Sequence, residues 1–148
     1  MRGLAFDRKS LRQVLPAQIA IELEVLKAAF ERRTPANLGL LRGALDERER
    51  QLTDDVQEAS LDLTFEATLG SVCGNEVLRR LQALVHDVWL EAQIAEGLAP
   101  GGLSRLHREH RQIFEAFAAG DLEDAMSRFH DHLRNLSGPD GRPAEPDG

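Results

Sequence analysis

Four residues of this 148-residue chain combine metal-ligating chemistry with inward positions: Asp62, Glu66, His110 and His132. Asp62 and Glu66 are four residues apart, so on a helix they project from one face and can reach a single ion. They share that face with Ala59, Phe65, Leu69 and Val72, a setting in which an unpaired carboxylate is costly. His110 falls in the middle of the stripe Leu103, Leu106, Ile113, Phe114 and Phe117, and His132 shares a side with Ala125, Phe129 and Leu136. Two carboxylates and two imidazoles form a mixed oxygen and nitrogen set that suits zinc, nickel, manganese, cobalt or ferrous iron and differs from the all-oxygen shell of calcium. Periodicity alone leaves two other readings open. The groups could pair with one another as buried ions, or the face could be partly wet, since Asp55 and Glu58 lie on the same arc.

Weaker candidates surround this set. His107, one turn before His110, is read as a cavity-lining or supporting group, or as a partly exposed helix residue. His86 and Trp89 lie one turn apart and face either a pocket or the core. Arg79 and Arg80 offer guanidinium groups to an anionic ligand, with a solvated surface as the alternative. His130 points away from the apolar stripe. Cys73 is the only cysteine, which excludes a disulfide framework and a cysteine-based zinc site and suits a small buried apolar role. No Gly-rich phosphate loop or nucleophile–base pattern occurs, and Ser60, Ser71 and Ser104 have no catalytic spacing. The sequence therefore points away from an enzyme.

The elements that must position these residues are helical. Nearly everything between residues 16 and 137 follows a 3.6-residue period and nothing alternates as a half-buried strand does. The expectation is an all-α antiparallel bundle of about six helices, spanning about 16–32, 35–52, 54–72, 76–95, 103–119 and 122–137. Thr34, Asn75 and the Gly120-Asp121 turn supply caps and breaks. The first helix is read as apolar on two sides, through Ile19, Leu23, Leu26 and Phe30 and through Ile21, Val25 and Ala28. The fourth carries a stripe of Leu78, Leu81, Leu84, Val85, Val88 and Trp89, with Leu90 and Ile94 left for a partner surface. Residues 1–15 form a lead-in, 16–137 the domain, and 138–148 a polar, Pro/Gly-rich tail expected to be disordered. The net charge of −7, with basic and acidic residues interleaved, argues against direct nucleic-acid contact. No apolar run approaches the roughly 20 residues that span a bilayer, and no signal peptide opens the chain, so a cytoplasmic protein without membrane contact is expected.

The stretch "EHRQIFEAFAAGDLEDAMSRFHDHL" resembles the closing helix pair of the FCD domain, the effector-binding domain of FadR-type regulators in the GntR family of bacterial transcription factors. His110, Asp121 and His132 keep that family's even spacing of 11 residues. "IELEVLKAAFERRTPANLGLL" resembles its opening helices and "DLTFEATLGSVCGNEVL" its third. The resemblance covers about residues 14–137. It implies a divalent metal held by Asp62, His110 and His132, with Glu66 standing where a histidine is usual, and a small carboxylate effector chelated beside it. Arg79, Arg80, His86, Trp89 and His107 are the residues expected to meet that effector. The family's usual arginine near the start of the first helix falls at Gln18. The resemblance also implies a homodimer. DNA would be reached only through a winged helix-turn-helix domain, for which the 15 leading residues are too short; the expectation is a sensor half, a truncated product or a stand-alone domain. Two other classes remain: a metal-dependent enzyme on a helical bundle, and a ligand-free dimerisation module.

Overall fold

The computed structural model describes residues 8–53, 63–95 and 103–137. Six α-helices follow in order: α1 Arg8–Phe30, α2 Pro35–Thr53, α3 Thr64–Val72, α4 Glu76–Ala95, α5 Leu103–Ala118 and α6 Leu122–Ser137. The fold is an all-α bundle, as its periodicity predicts. α1 packs along α4 and α6, α5 pairs with α6, and α2 lies on α5 and α3. The short α3 touches α1, α2 and α4, so it sits at the middle of the bundle.

Local chemistry sets the helix ends. Thr34 Oγ1 accepts the amide of Asn37 at 3.1 Å, Asn75 Oδ1 that of Leu78 at 3.0 Å, and Asp121 Oδ1 that of Asp124 at 3.0 Å. Each satisfies a donor that the first helical turn leaves open. Gly120 adopts φ +86° at the α5–α6 turn, a left-handed conformation that glycine enters without a Cβ penalty.

Three expectations are corrected. α3 begins at Thr64, after the non-helical Leu63, rather than running unbroken from about residue 54. α1 starts at Arg8 rather than near residue 16, with Pro16 inside it; Val14, upstream of the proline, packs against the core and keeps the helix going. On α4, Leu81 and Leu84 are 41% and 55% exposed, while Gln82, Val85, His86 and Trp89 are buried. The helix is rotated because its inward polar groups find a partner on α1. That partner is Glu22, which with Gln18 is buried beside Val25, Leu26 and Ala29; the inner face of α1 is thus partly polar, while Ile19, Ile21, Leu23, Ala28 and Phe30 to its sides also pack against the core. The core itself joins Leu41, Leu45, Phe65, Leu69, Ile113, Phe117, Phe129 and Leu133 across the helices. Cys73 is buried and free.

Candidate metal centre

α3, α5 and α6 each deliver one side chain to a common point: Glu66, His110 and His132. All are buried, and a ligand atom from each lies within 4.8 Å of the others. Glu66 reaches this point because its helix packs through Phe65, Leu69 and Val72, all buried, so its own arc faces inward. His110 occupies the centre of the α5 stripe, and its ring lies 4.9 Å from that of Phe65 and 4.4 Å from that of His132. His132 is 1% exposed, on the same side of α6 as the buried Ala125, Phe129 and Leu136.

The hydrogen-bond pattern orients these groups. Glu66 Oε1 lies 2.5 Å from His110 Nε2 and 3.6 Å from His132 Nε2. His132 Nδ1 donates to Glu109 Oε1 at 2.7 Å, which leaves His132 Nε2 facing the Glu66 carboxylate. Two electron-rich atoms turned toward each other in a buried site need a positive centre between them, either a proton on the ring or a metal ion. Glu66 Oε2 and His132 Nε2 have no hydrogen-bond partner although both are buried. The donor set of one carboxylate and two imidazoles fits a divalent transition metal.

Titration follows the same geometry. Burial alone would raise the Glu66 carboxyl, but the charge and hydrogen bond of His110, joined by those of His132, hold it well below the usual carboxylate range. Burial lowers His132, but its bond to Glu109 and the nearby Glu66 carboxylate outweigh that effect, leaving the ring above its ordinary value.

A second buried polar group lies where α1 meets α4. Glu22 Oε1 accepts from Gln82 Nε2 at 2.9 Å and from His86 Nε2 at 3.1 Å, while Gln82 also donates to the backbone carbonyl of Glu66 at 2.7 Å. Gly70 makes room for this amide, since a Cβ there would collide with Gln82 Oε1. Burial raises the Glu22 carboxyl. Both amide atoms of Gln18, Glu22 Oε2 and Trp89 Nε1 are buried without a partner.

The predicted site residues thus divide. Glu66, His110 and His132 come together. His86 and Trp89 face the α1–α4 seam. His107 is 7% exposed, more buried than a surface helix position, and lines a cavity beside these three residues. Arg79 and Arg80 stand on the exposed side of α4, paired with Glu76 at 2.6 and 3.2 Å. His130 is half-buried, with its side chain 41% accessible and away from the three inward residues, in line with its direction on the helix. Asp62 lies outside the described residues, as do the 96–102 loop, the 138–148 tail and the side chain of Ile94. Glu109, Glu22 and Gln82 are not singled out by sequence reasoning, and Gln18 enters there only as the place of the family's usual arginine. Gln18 and Glu22 could have been found, because they fall one turn apart on the arc of Val25 and Ala29. Glu109 carries no such signal, since it is half-buried at the edge of α5.

A six-helix bundle with inward histidines on its last two helices matches a known family. The FCD domain model covers residues 13–135, and the chain belongs to that family. Among its relatives is the HTH-type transcriptional regulator LutR of Bacillus subtilis, 28% identical over 139 residues, which amount to 90% of this chain and 64% of that protein. The chain therefore spans less than two-thirds of the length of this relative. Among the described residues no helix is long and apolar enough to cross a membrane.

Proposed function

We propose that this chain is the effector-sensing domain of a GntR-type transcriptional regulator, in which a small organic acid binds beside a divalent metal inside the bundle. The observation that carries the proposal is the buried triangle of Glu66, His110 and His132, with two of its polar atoms unpartnered. A bound zinc, nickel or manganese ion would supply a positive centre able to take a carboxylate oxygen as a further ligand. Asp62, which lies outside the described residues, is proposed as a fourth protein ligand on the strength of the family resemblance.

The chain's own residues would do the sensing. Glu66 ties α3, His110 α5 and His132 α6, so occupancy favours one arrangement of three helices over others, a population shift set by differential binding. Gln82 passes any movement of the Glu66 backbone to Glu22 on α1. His86 and Trp89, on the same seam, are proposed to border the effector. A DNA-binding domain in the full regulator would read the result, without nucleic-acid contact by this acidic chain. Val77, Leu81 and Leu84 lie exposed along one side of α4 and support pairing with a second copy. The reading is cytoplasmic and non-catalytic.

Metal analysis of the purified domain, followed by calorimetry with small carboxylates, tests the proposal. The expected result is stoichiometric divalent metal and carboxylate binding that disappears with a chelator. Metal-free protein that gains no thermal stability from any divalent ion would overturn it. Chelator-sensitive turnover of a carboxylate or ester would instead favour an enzyme.

A further inference from the structure

Glu66 reaches His110 and His132 from a helix poorly equipped to fix its own position. α3 is nine residues long and no side chain caps its start, and a helix that short is marginal by itself. Phe65, Leu69 and Val72 bury its apolar face, but apolar burial is non-directional. It sets which face turns inward more firmly than it sets height along the axis. Height decides the contact, because one residue of helical rise is about 1.5 Å and a functional constellation tolerates errors of about 0.5 Å. Glu66 Oε1 lies 2.5 Å from His110 Nε2 and 3.6 Å from His132 Nε2.

A directional bond crosses to α3 at this level. Gln82 Nε2, on α4, donates to the backbone carbonyl of Glu66 at 2.7 Å and to Glu22 Oε1, on α1, at 2.9 Å. Gln82 is 3% exposed, so its two N–H groups are committed, away from water, to acceptors on two other helices. The carbonyl it takes belongs to the very residue that points at the histidines. Helical pairing directs that carbonyl at the amide of residue 70 and leaves a second lone pair for Gln82. Residue 70 is a glycine, buried within α3, where glycine is destabilising relative to alanine. It leaves the space that the amide fills, since a Cβ there would collide with Gln82 Oε1. The end of a glutamine can usually swing aside, but this one would give up two buried hydrogen bonds to do so. Gly39 and Gly43 on α2 face no such neighbour.

We infer that Gln82 is the positioning residue of Glu66: its amide holds α3 at the height at which the Glu66 carboxylate meets His110 and His132, and Gly70 is the gap that admits it. The inference deepens the metal reading above and rests on it for its effect on affinity, while a metal-free readout keeps the two separable. Cobalt affinity is measured by competition with a chelator, and the downfield proton signal of the short Glu66–His110 bond is followed by NMR in the metal-free domain. Gln82→Met, which keeps the volume and loses both bonds, should weaken cobalt binding about tenfold, as loss of an outer partner does, and shift the imidazole signal. Gly70→Ala should do the same although it removes no polar group. In the double variant the loss should stay about tenfold and not multiply to about a hundredfold, because both changes break one contact. Glu22→Gln keeps an acceptor for the amide and should stay within about threefold of wild type. Val85→Ala, a truncation on the buried face of α4, should lower the melting temperature and leave cobalt affinity and the imidazole signal unchanged. The inference is overturned if Gln82→Met and Gly70→Ala match wild type in both readouts, if their losses multiply in the double variant, or if Val85→Ala shifts both readouts as they do. A wild type that binds no cobalt removes the metal reading instead, and the imidazole signal then decides the positioning.

Discussion

Two buried glutamates, Glu66 and Glu22, are both hydrogen-bonded to histidine, yet their surroundings shift them in opposite directions. Glu66 meets two imidazoles and is held low, so it stays ionised. Glu22 meets one imidazole and one neutral amide, burial dominates, and its carboxyl is raised. The first arrangement concentrates negative charge and unpartnered lone pairs at a point beside a cavity. The second spreads its bonds along a helix seam. The difference teaches that a buried Glu–His contact does not by itself make a candidate metal site; convergence of side chains from three helices on one point is what marks one.

The sharpest way to break this comparison is to remove one member from each group. His110→Ala should lower divalent metal affinity at least a hundredfold, by removing one of the ligands, whereas Glu22→Gln should leave it within about threefold. Equal losses would merge the two groups into one site. Next in size is Glu109→Ala, which frees His132 Nδ1 and should weaken metal binding about 10- to 100-fold, the usual effect of losing a ligand's outer partner. Metal titration with a cobalt spectrum checks both.

pH separates the groups further. His132 and His86 have folded-state pKa values raised above the ordinary 6.5. Their contribution is fully present below that value and is lost as pH rises through the folded pKa. Glu66 is lowered from 4.5, so its contribution is present above that value and lost on acidification. The metal-free domain should therefore lose thermal stability as pH rises above about 6.5. Metal binding, which requires unprotonated imidazoles, should strengthen over the same range. Opposite slopes in melting experiments with and without metal are the expected outcome. The smallest effect belongs to the seam. Gly70→Ala should push the Gln82 amide off Glu22 and the Glu66 carbonyl, a loss of about 1–3 kcal/mol offset by about 0.5–1 kcal/mol of helix propensity. Chemical denaturation reads the net change.

Much of this was legible in the sequence because helices write their burial as a period. The α5 and α6 stripes placed His110 and His132 inward, and the structure has them buried. Glu66 was found by the same route. The α1–α4 seam was not, because Gln18 and Glu22 share α1 with enough apolar residues to suggest two greasy faces, and which face turns inward depends on the partner helix. Leu81 and Leu84 were misread on α4 for the complementary reason: a leucine stripe and the polar stripe of Gln82 and His86 compete, and the bond to Glu22 decides. The buttress from Glu109 depends on the packing of α5 against α6, which no spacing along one helix encodes.

The central claim is that Glu66 is a metal ligand. Divalent metal affinity of wild type, Glu66→Gln and Glu66→His, measured by competition with a chelator, tests it most directly. A ligand role predicts that Gln weakens binding by at least about tenfold, because a neutral amide is a poorer donor, while His keeps affinity near wild type. Equal affinity in wild type and Glu66→Gln, or metal binding that appears only in Glu66→His, would contradict it and leave Glu66 as a carboxylate that takes the place of the ion.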